Sequence, residues 1–572
     1  MISPVAAAEA ALAADRAHGD AAIWISRVPA GVVMARARAL EREGPRGRAL
    51  WGVPFAVKDN IDVAGMPTTA ACPGFEHEAA ASAPAVQLLL DAGAVLIGKT
   101  NLDQFAAGLV GVRSPYGVPR NVFDAARVPG GSSSGSAVAV AAGIVPFALG
   151  TDTAGSGRVP AMFGQVVGVK PTIGTVSTRG VVPACRSIDT ISVFSGSVDA
   201  GLEVLRVIAG YDAEDRYARP APFAHLRRGA LAGSAVVGVA EVDDLCDPGV
   251  AAGYRAAAGM FSTRAVDLAP FLRMARLLYD GPWVAERSAA LRALMERHPE
   301  MLHEVTRRVL LDGMARRAVD AFDAFHELAA VRRLAQVLFA ECDALMLPTA
   351  PFTPTLAEVR DDPFGANSRL GTFTNFVNLC DMAAIAVPCG RDPLGVPVGV
   401  TLLGPAFSEG RLAALADAVQ RRFCATVGAT GSALPAPGAV DPVGPGETAL
   451  FCLGAHMTGL ALNGQVTALG GRLLRTDRTA AGYRLHALGA RPGLLRGDGA
   501  GCENEAGRIL GEVWALPTAA IGALLAQVPA PLGFGTVALE SGPCLGFLAE
   551  AAGVAGAEDV TAYGGWRAWL AR

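Results

Sequence analysis

The chain has 572 residues, of which 51% are hydrophobic and 18% charged, so it can bury a large core and is not a disordered protein. At roughly 150 residues per domain, this length predicts two to four domains. The 49 basic and 53 acidic residues give a net charge of −4, which does not indicate a nucleic-acid-binding surface.

No segment has the pattern of a membrane span or a secretory signal. The N-terminus lacks a basic region followed by uninterrupted apolar residues, and the longest uncharged runs, 128–151 and 513–539, contain prolines and glycines. The ten cysteines form no Cys-x-x-Cys pair, and the eight histidines have no metal-binding spacing. These patterns predict a cytoplasmic protein with no metal, no cofactor and no membrane partner.

The first 425 residues alternate predicted helices and strands. A helix is expected over 3–17, and a strand over 50–58 has Lys58 at its end. The pattern then predicts a helix at 85–91, a strand at 94–97, a helix from residue 101, strands at 143–149 and 166–169, mainly helices over 250–345, and strands at 383–387 and 398–403. Short apolar strands interleaved with helices indicate an α/β sheet that is covered on both faces.

A segment rich in proline and glycine, 426–446, has no periodicity and is typical of a linker. After it, short predicted strands at 450–453, 483–487 and 511–515 indicate a second, smaller domain. The sequence therefore predicts three parts, namely a first domain over 1–425, a linker over 426–446 and a C-terminal domain over 447–572.

Three lysines, Lys58, Lys99 and Lys170, stand among 46 arginines. A strong arginine bias mostly reflects coding composition. A buried ammonium can lose its proton, however, whereas a guanidinium in practice cannot. If a position needs a neutral amine as a base, it must be one of these three lysines.

Two motif matches conflict with their structural context. Residues 93–100 fit the phosphate-loop pattern, but 94–97 are predicted to be a strand, so their amides would pair within a sheet. The alternative that the chain is a phosphate-loop enzyme would be tested by measuring nucleotide binding. Residues 131–135 fit the nucleophile-elbow pattern, yet 127–130 are poor strand formers and no later histidine follows a clear strand end.

Two serine-containing segments, 129–136 and 150–161, are more informative together. Each alone is compatible with a helix N-cap or a polar surface loop. Combined with Lys58, they supply the nucleophile, proton relay, base and oxyanion donors that amide hydrolysis requires.

The sequence resembles the amidase signature family over roughly residues 20–425. The segments that carry this resemblance are 52–59, 93–101, 129–136 and 150–158. The resemblance implies an amidase-signature α/β fold with a mixed central sheet, and a structural role for the Gly-Lys-Thr segment. It also implies that Ser156 is the nucleophile, Ser132 is a bridging serine on a cis peptide, and Lys58 is the base. The implied oxyanion hole is formed by the amides of Thr153, Ala154, Gly155 and Ser156.

Three more segments, 183–189, 278–287 and 367–378, resemble the allophanate hydrolases within that family. This resemblance implies that Tyr279 and Arg287 contact allophanate (N-carboxyurea), a small anion that suits an arginine fork. The alternative is that both lie on a solvated helix face. The implied products are ammonia and N-carboxycarbamate, then ammonia and carbon dioxide, in a pathway that follows urea carboxylase. A homodimer is also expected.

The C-terminal part resembles the matching domain of allophanate hydrolases, whose fold is similar to γ-glutamylcyclotransferases. Its glycine-containing segment, 453–463, includes His456, which could act as an acid or base in decarboxylation of N-carboxycarbamate. Alternatively, His456 is a structural loop histidine, or the domain mainly mediates oligomer contacts.

Two other classes of function remain open. A general amidase, or the glutamine-dependent subunit of a transfer-RNA amidotransferase, would have Lys58, Ser132 and Ser156 but would not need Tyr279, Arg287 or a C-terminal domain. A non-catalytic scaffold would have no need of the three catalytic residues together.

Overall fold

The computed structural model describes residues 3–222, 224–231, 233, 235–497 and 507–572. The chain forms two compact units. The larger comprises Met1–Ala221, Val237–Phe339 and Asp343–Pro437, and the smaller comprises Pro222–Val236, Ala340–Cys342 and Gly438–Arg572. The predicted linker therefore divides between the two units at residue 438. None of the described helices is long and apolar enough to cross a membrane.

Helices and strands alternate through the larger unit. Its helices are α1 (Pro4–His18), α2 (Ala30–Glu43), α3 (Pro84–Asp91), α4 (Ser134–Ala141), α5 (Val159–Phe163), α6 (Val198–Ile208), α7 (Pro248–Ala258), α8 (Ala269–Asp280), α9 (Trp283–Arg297), α10 (Glu304–Met314), α11 (Ala318–Glu341), α12 (Leu356–Asp361), α13 (Gly365–Leu370), α14 (Asn375–Leu379) and α15 (Glu409–Phe423). Its strands are β1 (Trp24–Arg27), β2 (Pro54–Lys58), β3 (Pro67–Thr68), β4 (His77–Glu78), β5 (Val95–Thr100), β6 (Phe147–Asp152), β7 (Val167–Lys170), β8 (Thr190–Ser195), β9 (Val236–Val239), β10 (Ser262–Ala265), β11 (Ala344–Pro348), β12 (Met382–Arg391) and β13 (Pro397–Pro405).

Among the described residues, eleven strands form one mixed sheet in the order β1-β5-β2-β6-β8-β7-β12-β13-β11-β9-β10. Strand β2 is parallel to both β5 and β6, whereas β8 is antiparallel to β6 and β7. Every residue of β2, β6 and β8 is buried, so both faces of the sheet are covered there. The predicted α/β fold with a mixed, covered sheet is confirmed.

The register of the parallel strands places the end of β2 beside the end of β6. Val57 lies opposite Leu149, so Lys58 and Thr151 reach the same edge of the sheet. Helix α4 packs against both strands and is buried on all sides, as its almost entirely small and apolar sequence requires. The serine loop before α4 is therefore held against this edge.

The helix predicted from residue 101 is wrong, because polar side chains satisfy backbone groups that a helix would pair. The Asn101 amide donates to the carbonyls of Ala22 and Gly117, at 2.9 Å each. Only a short 3-10 turn, Gln104–Ala106, follows, and Phe105 within it has a φ of 52°. The strand predicted at 143–149 corresponds to β6. This strand begins at Phe147 and ends at Asp152, three residues later than predicted and closer to Ser156.

The smaller unit has an α+β architecture. Its elements are β14 (Glu447–Cys452), α16 (Asn463–Ala468), β15 (Arg472–Arg478), β16 (Tyr483–Leu488), β17 (Arg491–Arg496), β18 (Leu510–Pro517), α17 (Thr518–Leu525), β19 (Leu532–Leu539), β20 (Gly542–Ala549), β21 (Glu558–Asp559) and α18 (Trp566–Leu570). In the part that is described, five strands pair in the order β15-β18-β14-β20-β19 around an apolar core of their own. The strands expected near 450, 483 and 511 correspond to β14, β16 and β18.

Candidate active site

Lys58 is the last residue of β2, an interior strand of the large sheet, and it is 0% exposed. Its amine nitrogen lies 2.8 Å from Ser132 Oγ and donates to Thr151 Oγ1 at 2.7 Å. Burial lowers the pKa of Lys58 from 10.5 to about 7, although nearby aspartates oppose this effect. A large fraction of the amine is therefore neutral near pH 7 and can accept the proton of the Ser132 hydroxyl.

Ser132 follows a cis peptide bond from Gly131, as the resemblance implied. A side chain at Gly131 would overlap the carboxylate of Asp103 and the backbone of Gly111, so the loop requires glycine at this position. Asp103 accepts the amides of Gly111 and Arg113 at 2.9 Å each, and its own amide donates to the Ser132 carbonyl. The buried Asp103 thus fixes the serine loop, a role that the sequence did not reveal.

Ser156 lies in the loop 153–157, which we call the nucleophile loop, directly after β6. Its side chain is buried, and its hydroxyl makes no hydrogen bond to another described residue. The structure thus brings Lys58 and Ser132 into direct contact and leaves the hydroxyl of Ser156 without a partner in the described part of the chain. Proton transfer between Ser156 and Ser132 stays a prediction.

The backbone amides of the nucleophile loop differ in whether they form hydrogen bonds. Those of Thr153, Ala154 and Ser156 have no hydrogen-bond partner among the described residues, as oxyanion donors require. The Gly155 amide departs from the expectation, because it donates to Asp152 Oδ1 at 3.1 Å. We therefore restrict the candidate oxyanion hole to the other three amides.

Tyr279 and Arg287 lie near each other on α8 and α9, with the guanidinium 5.6 Å from the phenol ring centre. Arg287 is only 2% exposed, so it does not belong to a solvated helix face. It donates to the Ala106 carbonyl at 3.2 Å, and no carboxylate pairs with it in the described part of the chain. The Tyr279 hydroxyl is buried and lacks a partner among the described residues. A buried cation that forms no ion pair among the described residues, beside an unsatisfied hydroxyl, is suited to a small anion.

Burial alone would lower the pKa of Arg287, but neighbouring Tyr279, Cys185 and Asp189 raise it above its usual value. The guanidinium therefore carries its charge at every pH at which the protein is folded. This fixed charge is what recognition of a carboxylate needs.

Two further residues lie within the motif segments and had no role assigned from the sequence. Thr151 accepts from Lys58 and so orients the amine. Asp189 accepts from Thr153 Oγ1 at 2.5 Å, and burial raises its pKa to about 6. Their position inside these segments was the available signal, but their partners are remote in sequence.

The other two lysines are buried without contacting the serines. Lys99 pairs with Asp59 at 3.1 Å and donates to Thr68 Oγ1 at 2.6 Å. Because residues 95–100 form β5, the phosphate-loop interpretation has no open loop to support it. Lys170 donates to the carbonyls of Pro171 and Met382 at 2.8 Å each, which joins the end of β7 to β12.

His456 lies in the smaller unit, in the loop after β14. Its Nε2 is 3.0 Å from Gln465 Oε1, and its ring stacks on Phe547 with centroids 4.9 Å apart. Burial lowers the pKa of His456, so the ring is neutral near pH 7. It lines a cavity of about 50 Å³ together with Arg491 and Gln527.

The comparisons with known proteins agree with this fold. Residues 12–413 match the family model described as Amidase, and residues 448–571 match the one described as Allophanate hydrolase C-terminal domain. The chain therefore belongs to the amidase family, which confirms the resemblance drawn from the four sequence segments.

Individual relatives refine the likeness. The chain is 39% identical over 575 residues to the urea amidolyase of Saccharomyces cerevisiae, an alignment that covers 96% of this chain and 31% of that protein. It thus spans under a third of that relative's length. It is also similar to the structure of Kluyveromyces lactis allophanate hydrolase, with 36% identity and a TM-score of 0.78 over 100% of this chain and 97% of that one. A subunit of the glutamyl-tRNA(Gln) amidotransferase of Symbiobacterium thermophilum is 35% identical over 460 residues, covering 73% of this chain and 93% of that protein.

Proposed function

We propose that the chain is an amidohydrolase that hydrolyses the terminal amide of allophanate. The observation that carries this proposal is the buried charge of Arg287, which forms no ion pair with a carboxylate among the described residues, beside the unsatisfied hydroxyl of Tyr279. Both lie in the unit that also contains the Lys58–Ser132 pair. A short anion with an amide at its other end satisfies both groups. The likeness to Kluyveromyces lactis allophanate hydrolase over the whole chain supports the same substrate.

In the acylation step, Ser156 Oγ attacks the carboxamide carbon of allophanate. Ser132 accepts the proton of Ser156 and passes its own to the neutral amine of Lys58. The amides of Thr153, Ala154 and Ser156 stabilise the oxyanion. When the tetrahedral intermediate collapses, the proton returns through Ser132 to the leaving nitrogen, and ammonia departs.

In the deacylation step, water attacks the acyl-enzyme, giving up its proton by the same relay, and N-carboxycarbamate is released. This product then decomposes to ammonia and carbon dioxide. We assign His456 to this second stage as a proton-transfer residue, because each C–N bond that breaks to release carbon dioxide requires a proton on the nitrogen, and the neutral ring can relay that proton from water. The structural alternative, a loop histidine held by Gln465, predicts that replacing His456 leaves carbon dioxide release unchanged.

Selectivity follows from the charge of Arg287. Urea has no carboxylate, so its binding would leave the buried guanidinium uncompensated, which disfavours urea strongly. We therefore place the chain after a urea-carboxylating reaction, and the relative named urea amidolyase supports this position. We also propose that the protein acts in the cytoplasm and that it forms a homodimer. Light scattering of the purified protein would test the oligomeric state.

The test is ammonia release from allophanate, urea, malonamate and glutamine by the wild type, Ser156→Ala and Arg287→Ala. Ser195→Ala is the matched control, since Ser195 is buried and, among the described residues, its hydroxyl donates only to the nearby Ser197 carbonyl. We expect strong preference for allophanate, no activity for Ser156→Ala and loss of that preference for Arg287→Ala. Equal turnover of glutamine would favour the amidotransferase or general amidase alternative. Full activity of Ser156→Ala would refute the catalytic assignment.

A further inference from the structure

Residues 183–189, which we call the bridge segment, contact both halves of the candidate site. At one end, the Asp189 carboxylate accepts the Thr153 hydroxyl of the nucleophile loop at 2.5 Å. The same carboxylate accepts the amides of Ala184 at 2.8 Å and Cys185 at 3.0 Å, which closes the bridge segment on itself. Asp189 is 5% exposed, so these bonds are shielded from water.

At its other end, the bridge segment contacts the first turn of α9. Between the two ends, the side-chain amide of Asn378 donates to the Ile188 carbonyl at 3.0 Å. The Cys185 thiol donates to the Trp283 carbonyl at 3.5 Å. The amide and the hydroxyl of Ser187 donate to the two carboxylate oxygens of Glu286, at 2.8 and 2.7 Å. Glu286 directly precedes Arg287, so a shift of this helical turn moves the guanidinium with it.

The bridge segment therefore connects the loop that presents Ser156 to the helix that presents Arg287, through hydrogen bonds at both ends. Charge-assisted bonds of this length are stronger than neutral ones and hold their geometry closely. Since a misplacement of about 1 Å can reduce a rate about a hundredfold, such a connection has consequences for catalysis.

We propose that the bridge segment fixes the distance between the nucleophile and the anion-binding arginine, with Asp189 as its positioning residue, and thereby selects substrates by length. This inference rests on the proposed function of Arg287 and Ser156. In allophanate a single atom separates the carboxylate carbon from the scissile carbonyl carbon. Malonamate has the same spacing, oxamate lacks the intervening atom, and succinamate has one more.

The experiment measures kcat and KM for oxamate, malonamate, succinamate and allophanate. The variants are Thr153→Val and Asp189→Asn at one end of the bridge segment, and Glu286→Ala at the other. Thr153→Ser keeps the donor hydroxyl and is the conservative partner of Thr153→Val. Asp215→Asn is the matched control, because Asp215 is a buried carboxylate that accepts the amide and hydroxyl of Thr178 and contacts neither half of the site.

We expect the wild type to prefer malonamate over its shorter and longer homologues. Thr153→Val and Asp189→Asn should reduce the malonamate-to-succinamate ratio of kcat/KM about tenfold, mainly through kcat, and Thr153→Ser should restore it. Glu286→Ala should reduce the same ratio mainly through KM. Asp215→Asn should leave the ratio unchanged.

If the bridge variants lose thermal stability but keep the wild-type ratio, the segment is only structural and the inference is wrong. An equal loss of ratio in Asp215→Asn would have the same meaning. If the wild type cleaves malonamate with the expected length preference but not allophanate, the proposed substrate fails while the bridge is still tested by the variants. If it cleaves none of these anionic amides, both proposals fail.

Discussion

Arg158 holds the carboxylate of Asp152 through two hydrogen bonds, Nε to Oδ2 at 3.0 Å and Nη2 to Oδ1 at 2.9 Å. Both side chains are completely buried. Burial would raise the pKa of Asp152, but the charge and hydrogen bonds of Arg158 lower it below its usual value, so the carboxylate is ionised. The same carboxylate accepts the amides of Gly155 and Gly157. This ion pair therefore shapes the nucleophile loop around Ser156.

Replacing Arg158 with leucine should destabilise the protein by about 3–5 kcal/mol, because a buried carboxylate would lose its partner. The amidase activity should also be lost, since the nucleophile loop is tied to the same carboxylate. Urea unfolding and ammonia release measure the two effects. Arg27→Leu is the comparison, as Arg27 pairs with Asp15 while 42% exposed, and it should cost at most about 1 kcal/mol. Equal losses in the two variants would contradict the role given to Arg158.

Some parts of this fold could be predicted from the sequence and others could not. Apolar strands such as β2 and β12 were predictable, because burial on both faces requires a continuous apolar run. The irregular segment after β5 could not be predicted. Its side chains bond to distant backbone groups, since Asn101 donates to the Ala22 carbonyl and Asp103 accepts the amide of Gly111 in a loop. Helical spacing carries no information about such side-chain bonds.

The pH dependence of kcat/KM should reflect Lys58. Because burial lowers its pKa to about 7, the amine is protonated and inactive as a base below that pH and neutral above it. The value of kcat/KM for allophanate should therefore rise about tenfold per pH unit up to about pH 7 and then level off. Lys58→Arg should be inactive at every pH. A profile that continues to rise toward pH 10 would mean that the amine is not desolvated.

Tyr279→Phe should have opposite effects on stability and catalysis. The hydroxyl that it removes is buried without a partner among the described residues, so the free protein should be as stable as the wild type or slightly more stable. The KM for allophanate should rise about tenfold, because the substrate loses a hydrogen-bond donor. Thermal unfolding and steady-state kinetics provide the two readouts. A fall in stability with unchanged KM would assign Tyr279 to packing alone.

His456→Asn separates the two stages of the proposed reaction. Release of ammonia from malonamate needs only the serine site and should be unchanged. Carbon dioxide release from allophanate should slow at least about tenfold, because the ring would no longer relay a proton to the nitrogen from which carbon dioxide departs. Mass spectrometry of the gas released gives the rate, and His486→Asn in the same unit is the control. Unchanged carbon dioxide release would leave His456 with its structural bond to Gln465.

The candidate site could also be predicted only in part from the sequence. Lys58, Ser132 and Ser156 lie in local motifs whose glycines and small residues are dictated by the loop itself. The roles of their supporting groups could not be predicted, although these groups also lie in motif segments, since Thr151 reaches Lys58 across 93 residues and Asp189 reaches Thr153 across 36. The engagement of the Gly155 amide by Asp152 likewise depends on where β6 ends, which apolar patterning placed three residues too early.

All three lysines of the chain, Lys58, Lys99 and Lys170, are 0% exposed. Arginine therefore carries nearly all of the positive charge on the surface, and reagents that acylate or carbamylate amines find no lysine to modify in the folded protein. Lys99 and Lys170, which do not contact the catalytic serines, become reactive only when the larger unit opens. The extent of modification of these two lysines thus reports on the population of molecules that have unfolded.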